Sequence, residues 1–303
     1  MKLEKFHWFQ MAFQLKGSVI ASIYPRVLWC AFFGFIISIL DYFGLPVSHP
    51  MLGTVIPSLV LGLLLVFRTN TAYERFWEGR RCWGNLVNTT RNLARQIWVS
   101  VDEITPEDRE QKVSVLKLLV VFAVTTKLHL RDEKVNSELK ELLPDAKYDK
   151  LSTMNNPPLE VAFWISDYLQ KQHDRNCLNI HQLINLQELL NILVDNLGSC
   201  ERILRTPMPL AYAIHLKQLL LLYCCLLPFQ IVDDLQWGTG FVVGLISFTL
   251  LGIEAIGLEI ENPFGYDEND LPLDAICNTM KRNIDDLISL PPNVRSHPDN
   301  ITN

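Results

Sequence analysis

Four stretches, near residues 27–45, 51–67, 213–232 and 239–258, are so apolar that they must be buried in a core or in lipid. A helix needs about 20 mostly apolar residues to cross roughly 30 Å of hydrocarbon, and these runs approach or reach that length. Lysine and arginine placement gives a second, independent signal. The segments 41–50 and 233–240 contain neither residue, whereas Lys2, Lys5, Lys16 and Arg26 precede the first run. A dense basic run from Arg68 to Arg95 follows the second, and Lys281 and Arg282 follow the fourth. Positive charge collects on the cytoplasmic side of membrane proteins, so the pattern predicts four membrane helices with both chain ends cytoplasmic. A soluble helical protein with four very apolar core helices is the alternative, and the loop-by-loop alternation of charge favours the membrane.

The polar residues within these runs are few. Pro57 removes a backbone donor in the second run and crowds the carbonyl of Gly53, which predicts a kink there. Asp41, Lys217 and Glu254 each stand near the end of a run, where they are expected to reach water. From Leu59 to Arg95 only Gly62, Gly79 and Gly84 weaken the helical pattern, so one long helix is expected to continue past the apolar run. Arg75 and Arg81 fall at helical spacing from Glu74 and Glu78, which predicts ion pairs along the helix surface. A net charge of −6 argues against nucleic acid as a partner. The seven cysteines form no CxxC pair and read as reduced thiols.

Residues 96–212 are too long for a loop and read as a folded helical domain. Leu118–Val124 is apolar but too short to span, which fits a buried helix. A break at Asn155–Pro158 precedes a helix from about Leu159 to Gln170. Leu183, Leu186, Leu190, Leu193 and Leu197 then recur in three- and four-residue steps, the spacing of a helix-packing seam. The expected organisation is therefore 1–95 (N-terminal segment, first two membrane helices and the extension of the second), 96–212 (helical cytoplasmic domain), 213–258 (third and fourth membrane helices) and 259–303 (acidic turn and tail). In the last segment Glu261, Asp267, Glu268, Asp270 and Asp274 crowd around a Pro-Phe-Gly turn. Such an oxygen-rich loop suits Ca²⁺ or is simply a solvated turn before the next helix.

No HExxH, GxSxG, Walker or GxGxxG pattern occurs, so no enzyme chemistry is expected. The second run offers another kind of site. Val55, Leu59 and Leu63 recur at i, i+4, i+8 beside the small residues Ser58 and Gly62, and this stripe faces either lipid or an axis shared between copies. A ring of such stripes makes an apolar constriction of the kind that gates by dewetting.

Three stretches carry a family likeness: "FRTNTAYERFWEGRRCWGNLVNTTRN", "CERILRTPMPLAYAIHLKQLLLLYCCLLPF" and "ENPFGYDENDLPLDAI". In this order they resemble the bacterial branch of the bestrophin ion channels, over about residues 20–285. The resemblance implies an all-α integral membrane protein, a homopentamer around a central pore with four membrane helices and a helical cytoplasmic domain per subunit. It implies a passive channel for chloride or other small anions, in contact with the lipid bilayer, with Val55, Leu59 and Leu63 lining the neck and Ile184 forming a cytosolic aperture. Animal members place phenylalanines in the neck where this chain has leucines, and the outer ends carry Asp233 and Asp234, so a monovalent cation (sodium) channel of the same architecture is the nearest alternative. A non-conducting signalling or scaffold protein is the other. Animal members also clasp Ca²⁺ at the Asn-Pro-Phe-Gly turn. Asp267 and Asp270 match acidic ligands of that clasp, while Tyr266 stands where a glutamate is usual and Asn262 offers only a carbonyl. No other cofactor is expected. The host membrane is the cell membrane or, in a photosynthetic cell, the thylakoid.

Overall fold

The structure, a computed structural model, describes residues 13–49 and 55–291, except for the side chains of Val55 and Ile56. Among these residues regular structure is entirely helical: α1 (Ile20–Tyr42), α2 (Val55–Ser100), α3 (Pro106–Leu130), α4 (Ser137–Lys140), α5 (Asp145–Ser152), α6 (Pro157–Asp174), α7 (Ile180–Arg205), α8 (Leu210–Leu235), α9 (Thr239–Glu259) and α10 (Leu273–Ser289). They fall into two compact units, one within 1–77 and 206–270, the other within 78–205 and 271–303. Three helical stretches are long and apolar enough to cross a membrane: Ile20–Tyr42, Pro106–Leu130 and Leu210–Glu259, the last comprising α8 and α9. The expected second span begins at residue 51, outside the described residues, as does the Gly53 carbonyl on which the kink at Pro57 depends.

In the first unit α1 packs most extensively on α9 and also touches α8. The α1–α9 crossing is so close that a Cβ added to Gly34 would lie 2.9 Å from the Gly240 Cα, and one added to Gly240 would lie 2.6 Å from the Phe35 ring. Lipid tails give no hydrophobic drive between helices, so this kind of backbone approach, with its dispersion contacts, is what holds them together. Ser38 adds to the crossing by donating its hydroxyl to the Gln236 carbonyl at 2.9 Å.

Two boundaries differ from the expected ones. Helix α1 stops at Tyr42 rather than near Leu45 because Gly44 takes a φ of 75° and the chain closes with the Leu45 N–H donating to the Leu40 carbonyl at 3.2 Å. That is the six-to-one bond of a glycine-terminated helix, and it satisfies a carbonyl otherwise orphaned at the helix end. The expected loop at 233–240 is mostly helix. Helix α8 runs to Leu235, a single 3₁₀ turn covers Gln236–Gly238, and α9 starts at Thr239. The His49 N–H donates to the Phe229 carbonyl at 2.8 Å, which ties the segment after α1 to the far end of α8.

In the second unit α3 is the central element. Although apolar enough to span, 78% of its most apolar window is buried against other helices, so it is a core helix. Leu116, Leu119, Val121 and Phe122 are fully buried on α3, which packs chiefly on α6 and α10 and more lightly on α7; Ile165 and Leu169 of α6, the Leu183–Leu197 seam of α7, and Leu273, Cys277, Met280 and Ile284 of α10 are buried as well. The stripe on α10 keeps three- and four-residue steps, as a helix with one buried face requires. Charge fixes the register of α10: Lys127 of α3 reaches Asp274 at 2.8 Å and Glu138 at 2.7 Å, and Arg131 reaches Asp274 at 3.1 Å. Burial opposes the Lys127 charge, but the two carboxylates outweigh it and hold its ammonium above the ordinary lysine value.

The start of α3 is set by Asp108, its third residue, whose carboxylate accepts the N–H groups of Ile104 at 3.0 Å and Thr105 at 2.9 Å. Arg175 grips both oxygens from the end of α6, at 2.7 and 3.2 Å. The Arg175 hydrogen bonds, against the opposing effect of burial, hold the Asp108 carboxyl far below the ordinary carboxylate range. A folded value below the unfolded one means the carboxylate stabilises the fold fully above the unfolded value, about pH 4. That contribution is lost as the pH falls through the folded value. Asp108→Asn is therefore expected to lower the melting temperature at pH 7 and to flatten its decline below pH 4, read by tryptophan fluorescence on the purified protein.

Candidate functional site

The first half of α2 separates its side chains into two faces. Leu61 and Leu65, 3% and 2% exposed, pack with Leu216 and Leu220 of α8. Arg68 and Ala72 continue this buried face at helical spacing. On the other side Leu59 is 70% and Leu63 54% exposed, and Val66 and Asn70 follow on the same face. A Cβ built on Gly62 meets nothing within 4 Å. Among the described residues, then, the Leu59–Leu63 stripe stays largely uncovered. Val55 opens α2, and its side chain lies outside the described residues. Helix α2 itself is unbroken from Val55 to Ser100, as the sequence predicts; at 1.5 Å per residue its 46 residues extend about 69 Å.

One turn beyond this stripe lies a cluster of charges that the sequence reading misplaced. Glu254, expected to reach water from the end of its run, is buried. Its Oε1 lies 3.6 Å from Nη1 of Arg68, itself only 1% exposed, and Arg68 Nη2 lies 3.7 Å from Oε2 of Glu261. The Arg68 stem crosses α9 where Gly257 leaves room: a Cβ there would stand 3.6 Å from the arginine Cγ and Cδ. Glu261 accepts the Met208 N–H at 2.9 Å through Oε1 and, through its carbonyl, the Arg75 Nε–H at 3.2 Å. Arg75 also donates to the Thr206 carbonyl. The cluster thus joins α2 to the start of α8 and the end of α9. Of the residues expected to pair along the α2 surface, Arg75 donates to these carbonyls and Glu78 pairs with Arg202 of α7 at 2.8 Å.

The acidic turn after α9 is closed by its own side chains. Phe264 is fully buried and its N–H donates to Asn262 Oδ1 at 3.3 Å, while Asp270 Oδ2 accepts the Asp267 N–H at 2.8 Å. Asn269 donates to Glu259 at 2.7 Å and to the Gly17 carbonyl at 3.2 Å, and Glu268 pairs with Lys16 at 3.2 Å. The turn therefore pins the segment preceding α1. Among the described residues no three His, Cys, Asp or Glu side chains converge as a metal would require. Asp267 and Asp270 are neighbours through a turn-closing hydrogen bond from the Asp267 N–H to the Asp270 carboxylate.

In the second unit the Leu183–Leu197 seam is buried, and Ile184 stands out from it, 55% exposed. Leu159 and Phe163 of α6 and Ile180 of α7 are also exposed.

The family model described as Bacterial/Fungal Bestrophin protein matches residues 1–286. The chain belongs to this bestrophin family. A protein of Nostoc sp. named as a voltage-dependent anion channel-forming protein is 73% identical over 297 residues, covering 98% of this chain and 97% of the relative. A protein of the same descriptive name from Synechocystis sp. is 58% identical over 285 residues, covering 94% and 93%. The crystal structure of a bacterial bestrophin homolog from Klebsiella pneumoniae matches with a TM-score of 0.80 at 30% identity, over 89% of this chain and all of that one. The fold is thus the bestrophin fold, and the chain is a membrane protein.

Proposed function

We propose that this bestrophin assembles as a homopentamer and passively conducts chloride or other small anions along the shared axis. The observation that carries the reading is the apolar stripe of α2, exposed at Leu59 and Leu63 although the opposite face is tightly packed. Copies arranged with these stripes inward make a narrow neck from Val55, Leu59 and Leu63, and Ile184 makes a second constriction. An apolar wall offers a dehydrated ion few partners, so passage depends on wetting and on the surrounding field. The names of the relatives in Nostoc and Synechocystis support an anion as the permeant ion. The exposed Leu159, Phe163, Ile180 and Ile184 support assembly, since a monomer gains nothing from apolar side chains left in water. Family membership points to a channel rather than an enzyme. The placement of lysine and arginine supports cytoplasmic termini in a multi-pass cell-membrane or thylakoid protein. The reading does not require calcium.

One observation favours a cation channel of the same build. Asp233 and Asp234 are exposed at the end of α8, and neither pairs with a cation among the described residues; Asp233 only accepts the Ser48 hydroxyl. Reconstitution into vesicles under a steep KCl gradient separates the readings. A reversal potential near the chloride equilibrium value is expected. One near the potassium value replaces the anion reading with the cation reading, and absence of flux from a monomeric protein leaves a scaffold.

A further inference from the structure

Between α1, α8 and α9 lies a cavity of about 360 Å³, lined by Arg26, Trp29, Lys217, Leu221, Leu251 and Glu254 among others. Its position along the helices is fixed by topology. Arg26 is the seventh residue of α1 and Lys217 the eighth of α8, while Glu254 stands five residues before the end of α9. The starts of α1 and α8 lie at the same end of the unit, because Ser38, near the end of α1, donates to the carbonyl of Gln236, which directly follows α8. Both cations therefore sit about 9 to 11 Å along their helices from the same end of the unit, at the edge of apolar stretches long enough to qualify as membrane spans. Neither forms an ion pair with a described residue, and the one carboxylate in the cavity, Glu254, is already held at 3.6 Å by Arg68. Charges set against so much apolar surface are costly unless they reach the interface or find a counter-charge.

We infer that this cavity is a binding site for an anionic phospholipid, its phosphate between Arg26 and Lys217 and an acyl chain along Trp29, Leu221 and Leu251. The charge complementarity is direct: two cations with no ion-pair partner among the described residues meet a headgroup whose phosphate is part of the membrane itself. Basic pockets between membrane helices hold anionic headgroups by the same means. The apolar walls select a lipid over a free anion, since phosphate alone leaves them wet. The site serves the protein whether or not it conducts, and its test needs no ion flux.

The test is native mass spectrometry on the purified full-length protein in neutral detergent. Either phosphatidylglycerol or phosphatidylcholine with the same acyl chains is added, and the lipids retained per chain are counted. Phosphatidylglycerol is expected to be retained roughly tenfold better. The Arg26→Gln/Lys217→Gln variant is expected to lose that preference while keeping the wild-type melting temperature, because both side chains are exposed. Leu221→Trp, at a position 66% exposed, should crowd the cavity mouth and lower retention of both lipids. Equal retention of the two lipids by the wild type overturns the proposal, as does a preference that survives in the double variant. Displacement of phosphatidylglycerol by millimolar inorganic phosphate also overturns it, in favour of a simple anion site.

Discussion

Arg68→Met is expected to remove most of the folded protein, or to lower its melting temperature by more than any surface change of equal size. Arg68 is the cation that Glu254 and Glu261 face in their cluster, at 3.6 and 3.7 Å, and Glu254 is 2% exposed. Taking it away leaves a carboxylate buried without a counter-charge. Breaking a buried pair in this way costs about 3–5 kcal/mol, against a total stability of about 5–15 kcal/mol for a typical domain. Glu254→Gln should cost less, because Arg68 retains Glu261 and the amide still fills the space. The sharper expectation concerns the pair. If the charges matter mainly because each cancels the other, Arg68→Met/Glu254→Met recovers much of what Arg68→Met loses, since a buried ion pair is often no better than apolar side chains of similar volume. Thermal melts of the four proteins in one detergent complete the double-mutant cycle. Additive losses would mean that Arg68 acts through its packing against Gly257 and not through charge.

That cluster also marks where the sequence stops being legible. The apolar runs, the long α2, the Leu183–Leu197 seam and the buried α3 were all readable, because each rests on periodicity within one segment. Arg68 and Glu254 gave the opposite impression. Each stands near the end of an apolar run, where a charge normally reaches water, and nothing local says that a residue 186 positions away supplies its partner. A signal was present in Gly257, one helical turn after Glu254, which opens the space an arginine stem needs. The α1–α9 crossing was hidden for a similar reason: Gly34 and Gly240 read as ordinary glycines in apolar runs until the two backbones are seen to touch. The end of α1 turned on the φ of Gly44, a local preference that an apolar run ending at Leu45 masks. Of the site residues, Leu59 and Leu63 were named from spacing that allowed either lipid or a shared axis. The structure adds that they lie opposite the packed face, which one chain alone can establish.

What they face in the assembly is decided by truncating them. Leu59→Ala/Leu63→Ala is expected to raise single-channel conductance several-fold and to leave the melting temperature nearly unchanged. Both side chains make little contact within their own chain, so shortening them opens almost no cavity in the subunit. In a five-fold ring the same change removes ten side chains from the narrowest wall, widening it and lowering the cost of wetting. Leu61→Ala/Leu65→Ala is the paired control. These residues are buried against Leu216 and Leu220, so each truncation is expected to cost about 2–5 kcal/mol. The control should therefore lower yield and melting temperature without enlarging the unitary current of the channels that survive. The two double variants remove the same atoms from the same helix, a quarter-turn or more apart, so only the direction the side chains face distinguishes them. Were Leu59 and Leu63 turned to acyl tails, alanine in their place would leave the unitary current at its wild-type value, and the neck would have to be sought on another face of the subunit.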